Sequence, residues 1–314
     1  MPVDPTIQRI LDSVNSRGAT EWSGLPPAER REQMREATRP LFEEMCQEPG
    51  AVADVTDRRV TVTDGEIGVR VCTPLAAPPF PALVYFHGGA FWLGDVDQTD
   101  RACRDLSHRV GAVVVSVDYR LAPEHPFPIP LEDCFAATVW TAEHASELGI
   151  DGTHLAVGGG SAGGNLAAAV ALVARDRGGP PICFQWLDIP VTDSRLDTDS
   201  MRAFGEGYLL TKAAMLEGWE YYAPDPADRA NPYASPMHAT DLSGLPPALV
   251  TTAEYDPLRD EGEAYGRRLT EVGVTTTIRR YDGGIHGFGA FTAILPLARQ
   301  HRDDVVAALR AAFE

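Results

Sequence analysis

The ten residues Val157-Gly158-Gly159-Gly160-Ser161-Ala162-Gly163-Gly164-Asn165-Leu166 (VGGGSAGGNL) satisfy two motifs at once. Gly158, Gly160 and Gly163 fit G-x-G-x-x-G, in which bare backbone lets a dinucleotide pyrophosphate come close. Gly159, Ser161 and Gly163 fit G-x-S-x-G, in which a sharp turn pushes one serine out of line as a nucleophile. Both motifs need a strand before and a helix after. Leu155 to Val157 is apolar and strand-like, and LAAAVALVARD, from Leu166 onward, is rich in helix formers. The stretch alone therefore leaves both readings open, and its surroundings have to decide.

Upstream, RVTVTDGEIGVRVCTP alternates apolar and polar residues on both sides of Asp64-Gly65, the dipeptide of a tight antiparallel hairpin. After Pro74 the pattern changes to short apolar runs separated by longer segments: ALVYF at 82–86, AVVVSV at 112–117, LAV at 155–157, ICFQWL at 182–187, ALVTTA at 248–253 and TTTIRR at 275–280. The first five suit strands buried on both faces, and the intervals are long enough for crossover helices. The fold class expected is α/β, a mostly parallel sheet flanked by helices, with its ligand site at the carboxyl ends of the strands.

Two regions break this rhythm. Residues 1–50 read as helices: an apolar stripe of Ile7, Ile10, Leu11 and Val14, then a stretch opened by Pro26-Pro27 and interrupted by Pro40. Residues 191–230 are too long for one crossover and carry Phe204, Tyr208, Leu209, Leu210, Trp219, Tyr221 and Tyr222. Helices inserted at the ligand edge would form a lid, completed by the N-terminal helices. The expected organisation is 1–50 as N-terminal cap helices, 51–190 and 231–314 as the core, and 191–230 as an inserted cap segment.

Chemistry-bearing residues follow the strands in a definite order. ALVYF leads into His87-Gly88-Gly89-Ala90-Phe91-Trp92-Leu93-Gly94, and LAV into the serine turn; ALVTTA leads into Glu254-Tyr255-Asp256-Pro257-Leu258, and TTTIRR into Tyr281-Asp282-Gly283-Gly284-Ile285-His286. A neutral serine is a poor nucleophile and needs a base, and His286, in a glycine-containing loop at a strand end, is the best placed. An acid must hold that imidazole; Asp256 is preferred over Glu254, Asp260 and Asp282 because it begins the loop after the preceding strand and is stiffened by Pro257. The N–H groups of Gly88, Gly89 and Ala90, with that of Ala162, suit an oxyanion hole. His87 reads as an anchor of that loop. Phe91, Trp92, Leu93, Phe204 and Tyr208 are the expected lining of a substrate pocket. The dinucleotide reading would instead need Asp188, after ICFQWL, to hold a ribose, and it leaves His87-Gly88-Gly89-Ala90, Asp256 and His286 unexplained.

The order Ser, Asp, His is that of α/β-hydrolases. The chain resembles the hormone-sensitive-lipase family of that superfamily, also called family IV bacterial esterases. The resemblance is carried by HGGAFWLG, by YRLAPEHPFPIPLEDC at 119–134, by GGGSAGGNL against the family's GDSAGGNL, by the DPL at 256–258 and by the HGF at 286–288. It implies a carboxylesterase with a Ser-Asp-His triad, no cofactor and a helical cap. Gly160 stands where the family has an acidic residue before the serine, and Ala90 where it has a third glycine. An amidase or formamidase on the same triad remains open. So does a ligand-binding receptor, although the plant gibberellin receptors that resemble this family lack the histidine that this chain keeps.

Composition narrows the partners. A formal charge of −18 over 314 residues, with scattered basic residues, argues against nucleic acid. No basic-then-apolar leader and no long apolar run is read, so no stable membrane insertion and a cytoplasmic location are expected. Five widely spaced cysteines without C-x-x-C suggest neither disulfides nor zinc, and the eight histidines show no H-x-x-x-H pair, so no metal is expected. The partner expected is a small-molecule ester; a homodimer is left open.

Overall fold

The computed structural model describes residues 2–17 and 24–314. In chain order the elements are α1 (Pro5–Arg17), α2 (Pro27–Met45), β1 (Asp54–Val62), β2 (Gly65–Thr73), β3 (Phe80–Phe86), α3 (Val96–Leu106), β4 (Val113–Asp118), α4 (Ile129–Glu143), α5 (Ala145–Leu148), β5 (Ile150–Gly160), α6 (Ala162–Arg177), β6 (Phe184–Asp188), α7 (Asp199–Phe204), α8 (Lys212–Tyr222), α9 (Pro226–Arg229), β7 (Ala248–Tyr255), α10 (Arg259–Glu271), β8 (Thr276–Ile285) and α11 (Pro296–Ala312). The strands form one sheet in the order β1-β2-β4-β3-β5-β6-β7-β8. Pairing is antiparallel for β1 with β2 and for β2 with β4, and parallel throughout the rest.

The period-2 geometry of a strand explains why the central runs are apolar without a break. Ala82, Val84 and Phe86 of β3 face a core shared with α4, α6 and α10, while Leu83 and Tyr85 face Cys103 and Leu106 of α3 and Val305, Val306 and Leu309 of α11. Helix α6 is buried along its first thirteen residues, which accounts for its run of alanines: small side chains let it lie close against the sheet. At the hairpin, Asp64 and Gly65 take φ values of +61° and +153°, the left-handed backbone that Asp-Gly tolerates.

From β3 the chain steps to β4 on one side, then returns so that β5 pairs on the other side of β3. The crevice at the carboxyl ends of β3 and β5 is therefore the topological switch point of the sheet, where ligands of open α/β sheets bind.

The N-terminal helices touch this region from two directions. Ile7 and Leu11 of α1 pack on Tyr281, Ile285, Phe288 and Phe291. The Val14 side chain lies outside the described ones. Arg31 of α2 donates to the carbonyls of Trp92 (2.6 Å) and Ala122 (2.9 Å) and pairs with Glu124 at 2.8 Å. Pro40 does not interrupt α2, which continues to Met45. Glu36, whose carbonyl loses its helical partner to the proline, is exposed, so water can take the place of the missing donor. No helix among the described residues is long and apolar enough to cross a membrane.

Candidate active site

Ser161 sits between the last residue of β5 and the first of α6 with φ +57° and ψ −117°, a backbone that L-residues adopt only under constraint. The constraint is visible in the glycines around it. A Cβ on Gly163 would fall 1.9 Å from the Phe86 carbonyl oxygen, and one on Gly159 would fall 2.4 Å from the same atom. The turn is thus pressed against the end of β3, and its glycines serve close backbone contact, not an opening for phosphate. Asp188 is not open to a ribose either: its Oδ1 accepts Thr251 Oγ1–H at 2.6 Å and lies 2.9 Å from His301 Nε2.

Strand β8 is longer than the TTTIRR run, extending through the irregular Asp282-Gly283-Gly284 to Ile285, so His286 follows it directly. His286 Nε2 lies 3.0 Å from Ser161 Oγ, and His286 Nδ1 lies 2.8 Å from Asp256 Oδ2. Asp256, wholly buried after β7, is fixed in turn by the Leu258 N–H at 2.8 Å on Oδ1. The other acids are engaged elsewhere: Glu254 accepts the Gly283 N–H, Asp260 accepts the Ser200 N–H, and Asp282 is exposed.

Above Ser161 lies the loop after β3. A Cβ on Gly88 would meet the Gly160 carbonyl at 2.9 Å and the Ser161 Cβ at 3.4 Å; one on Gly89, at φ +126°, would meet the Leu93 carbonyl at 2.2 Å. No hydrogen bond among the described residues uses the N–H of Gly88, Gly89, Ala90 or Ala162. Ala162 opens α6, so the partial positive charge of a 16-residue helix adds to its donor.

The loop is held from beneath by His87 and Tyr119. Their rings stack at 4.2 Å, the Tyr119 hydroxyl donates to the His87 carbonyl at 2.8 Å, and His87 Nδ1 lies 2.8 Å from the Gly88 carbonyl. Burial lowers the His87 pKa to about 4, against the raising effect of that carbonyl. Because the folded value lies below the ~6.5 of an unfolded histidine, protons favour the unfolded chain, and stability present above pH 6.5 is lost as pH falls towards 4. The loss should approach about 3 kcal/mol. Denaturant midpoints at pH 7 and pH 4.5 should differ less in His87→Asn than in the wild type; equal differences would contradict the buried neutral ring.

The aromatic residues after the loop do something other than line a pocket. Phe91 is 0% and Trp92 4% exposed. Phe91 stacks on Tyr222 of α8 at 3.8 Å, and Trp92 lies edge-on to Tyr221 at 5.5 Å with the Arg30 guanidinium 4.2 Å over its ring. Arg30 also pairs with Glu217 at 2.7 Å. Ala90 and Phe91 take φ values of +50° and +69°, which turn both side chains towards α8, where a Cβ on Gly218 would meet the Ala90 methyl at 2.9 Å. Expected as pocket lining, Phe91 and Trp92 instead bind α8 to the loop after β3. Phe204 and Tyr208 form a cluster with Tyr255, the rings of Tyr208 and Tyr255 stacking at 5.4 Å. Leu93 is half-buried beneath Gly89. Tyr119 and Gly218 were not singled out from sequence; a glycine inside α8 was the readable sign of close backbone approach.

A serine on a strained strand-to-helix turn at the switch point, with an acid after β7 and a histidine after β8, defines an α/β-hydrolase. The chain belongs to this family, in its hormone-sensitive-lipase branch: residues 83–290 match the family model for the alpha/beta hydrolase fold. It is 40% identical to the carboxylic ester hydrolase LipN of Mycobacterium tuberculosis, covering 98% of this chain and 83% of that one. It is 39% identical to an arylesterase of Saccharolobus solfataricus, over 92% of both chains. The hyperthermophilic esterase from the archaeon Pyrobaculum calidifontis superposes with a TM-score of 0.92 at 41% identity, with 100% of each chain covered.

Proposed function

We propose that this carboxylic ester hydrolase cleaves small, uncharged, short-chain esters through an acyl-enzyme, with Ser161 as nucleophile, His286 as base and Asp256 as the acid that orients it. The reading rests on the continuous contact Ser161 Oγ to His286 Nε2 to Asp256 (3.0 and 2.8 Å) beneath backbone donors that no hydrogen bond among the described residues uses. Ser161 Oγ attacks the ester carbonyl as Nε2 takes its proton, and the oxyanion is held by N–H groups of Gly88, Gly89, Ala90 and Ala162. Nε2 then protonates the departing alkoxide. Water, deprotonated by the same nitrogen, releases the acid and restores the serine.

The substrate class follows from the cover. Residues 191–230, together with α1 and α2, act as a cap over the core of 51–190 and 231–314. Its helix α8 is bound to the oxyanion loop by the Phe91–Tyr222 stack and the Ala90–Gly218 contact, which leaves little depth over Ser161 for a long acyl chain. Each added methylene gains ~0.8 kcal/mol, roughly fourfold, only while it finds apolar surface to cover. In a series of p-nitrophenyl esters, kcat/KM should peak at acyl chains of about two to six carbons and fall steeply beyond, without activation at a lipid interface. Preference for emulsified long-chain triglycerides would contradict the closed cap. The formal charge of −18 fits a free, uncharged small molecule as substrate better than a polyanion.

A further inference from the structure

His301 and Asp188 form a second buried His–Asp pair, Nε2 to Oδ1 2.9 Å, that takes no part in the relay above. Each member touches one side of that relay. Asp188 ends β6 in register with Gly160, and its carbonyl accepts the Ser161 N–H at 2.8 Å. A Cβ on Gly160 would lie 3.6 Å from Asp188 Oδ2, so this carboxylate fills the space that a side chain preceding the serine would enter. His301, on α11 and 2% exposed, stands edge-on to Phe288 at 5.3 Å, two residues beyond His286. A Cβ on Gly289 would meet its Nδ1 at 3.0 Å. Thr251, which donates to the same Asp188 oxygen at 2.6 Å, lies on β7 five residues before Asp256. One hydrogen-bonded group thus joins the elements that carry serine, acid and histidine.

We propose that Asp188 and His301 are positioning residues for ester hydrolysis. The pair holds the Ser161 turn against the His286 loop and so sets the 3.0 Å contact between them. Asp188 supplies, from β6, a carboxylate where the resembled family places one at the position of Gly160. This rests on the reading of Ser161 and His286 as nucleophile and base. Burial acts to raise the Asp188 pKa, but His301, Thr251 and Arg302 outweigh it and hold the carboxyl below its usual value, so the group stays ionised. An ionised group with two donors on one oxygen has little freedom to move, and a displacement of about 1 Å among reacting groups can cost 10²-fold in rate.

Asp188→Asn keeps the shape and removes the charge. We expect kcat, per site counted by phosphonate titration, to fall about 10- to 100-fold with KM within about twofold. Gly160→Asp/Asp188→Ala vacates that space and returns a carboxylate to it from β5, and should bring kcat to within about threefold of wild type. His301→Gln keeps a donor near Asp188 but removes the ring under Phe288 and Gly289; it should show the same loss confined to kcat, and it carries the test if Asp188→Asn does not fold. A pair that is only structural would lower Tm and leave kcat per titrated site unchanged, which overturns the proposal. So does a double variant that recovers Tm without kcat. Failure of the underlying reading is distinguishable, because the wild type would then not be titrated at Ser161.

Discussion

Ser161→Ala and His286→Ala should each lower kcat by at least about 10³-fold in a chain that still folds, and the double variant should be little worse than either. A serine hydroxyl is too weak an acid to be nucleophilic unaided, and among the described residues the base in contact with it is His286 Nε2 at 3.0 Å. On the proposed mechanism, removing the hydroxyl removes the atom that attacks, and removing the imidazole removes the acceptor for its proton. Either loss stops the same step, so the effects cannot add. On the proposed mechanism, residual hydrolysis would come from the backbone donors of Gly88, Gly89, Ala90 and Ala162, which both variants retain. Ser161 is 9% exposed and the alanine only deletes an oxygen, so Tm should change little. The check is steady-state kinetics on a short-chain p-nitrophenyl ester beside thermal melts; a double variant far below both singles would show that the two groups act in separate steps.

Gly163→Ala should destabilise the fold by at least about 3 kcal/mol and abolish turnover in whatever remains folded. Its new methyl would fall 1.9 Å from the Phe86 carbonyl oxygen and 2.7 Å from that of His87. Both are main-chain atoms of the end of β3 and the loop that follows it, and neither can rotate aside. The turn and the loop would have to separate, which spoils packing and the alignment of Ser161 with its donors together. Gly160→Ala is the internal control. It would meet nothing closer than 3.6 Å, and its φ is not in the left-handed region, so its effect should stay within about 1 kcal/mol. Denaturant midpoints separate the two; equal effects would mean that the glycines are not there for close backbone approach.

Much of the frame was readable because it rests on local rules. Asp64-Gly65 announces a hairpin through its φ values, G-x-S-x-G announces a turn too tight for side chains, and apolar runs between longer segments announce a parallel sheet. The approach of Ser161, Asp256 and His286 follows once each is placed at the end of its strand. What sequence did not yield depends on contacts between distant segments. Phe91 and Trp92 read as pocket walls because they follow the His87-Gly88-Gly89-Ala90 loop, but the positive φ of Ala90 and Phe91 turns this stretch into α8. No propensity for that backbone is visible in alanine or phenylalanine. Asp188 and His301, 113 residues apart, share no local pattern that would join them. Pro40, read as a break, is tolerated because its helix is exposed there.

Covalent labelling tests most directly whether Ser161 is the nucleophile. Incubation with a p-nitrophenyl alkylphosphonate should release one p-nitrophenolate per chain, raise the intact mass by one phosphonyl group, and place that group on the peptide containing Ser161. Ser161→Ala should take up no label. A phosphonyl group on any other residue, or undiminished labelling of Ser161→Ala, would contradict the account.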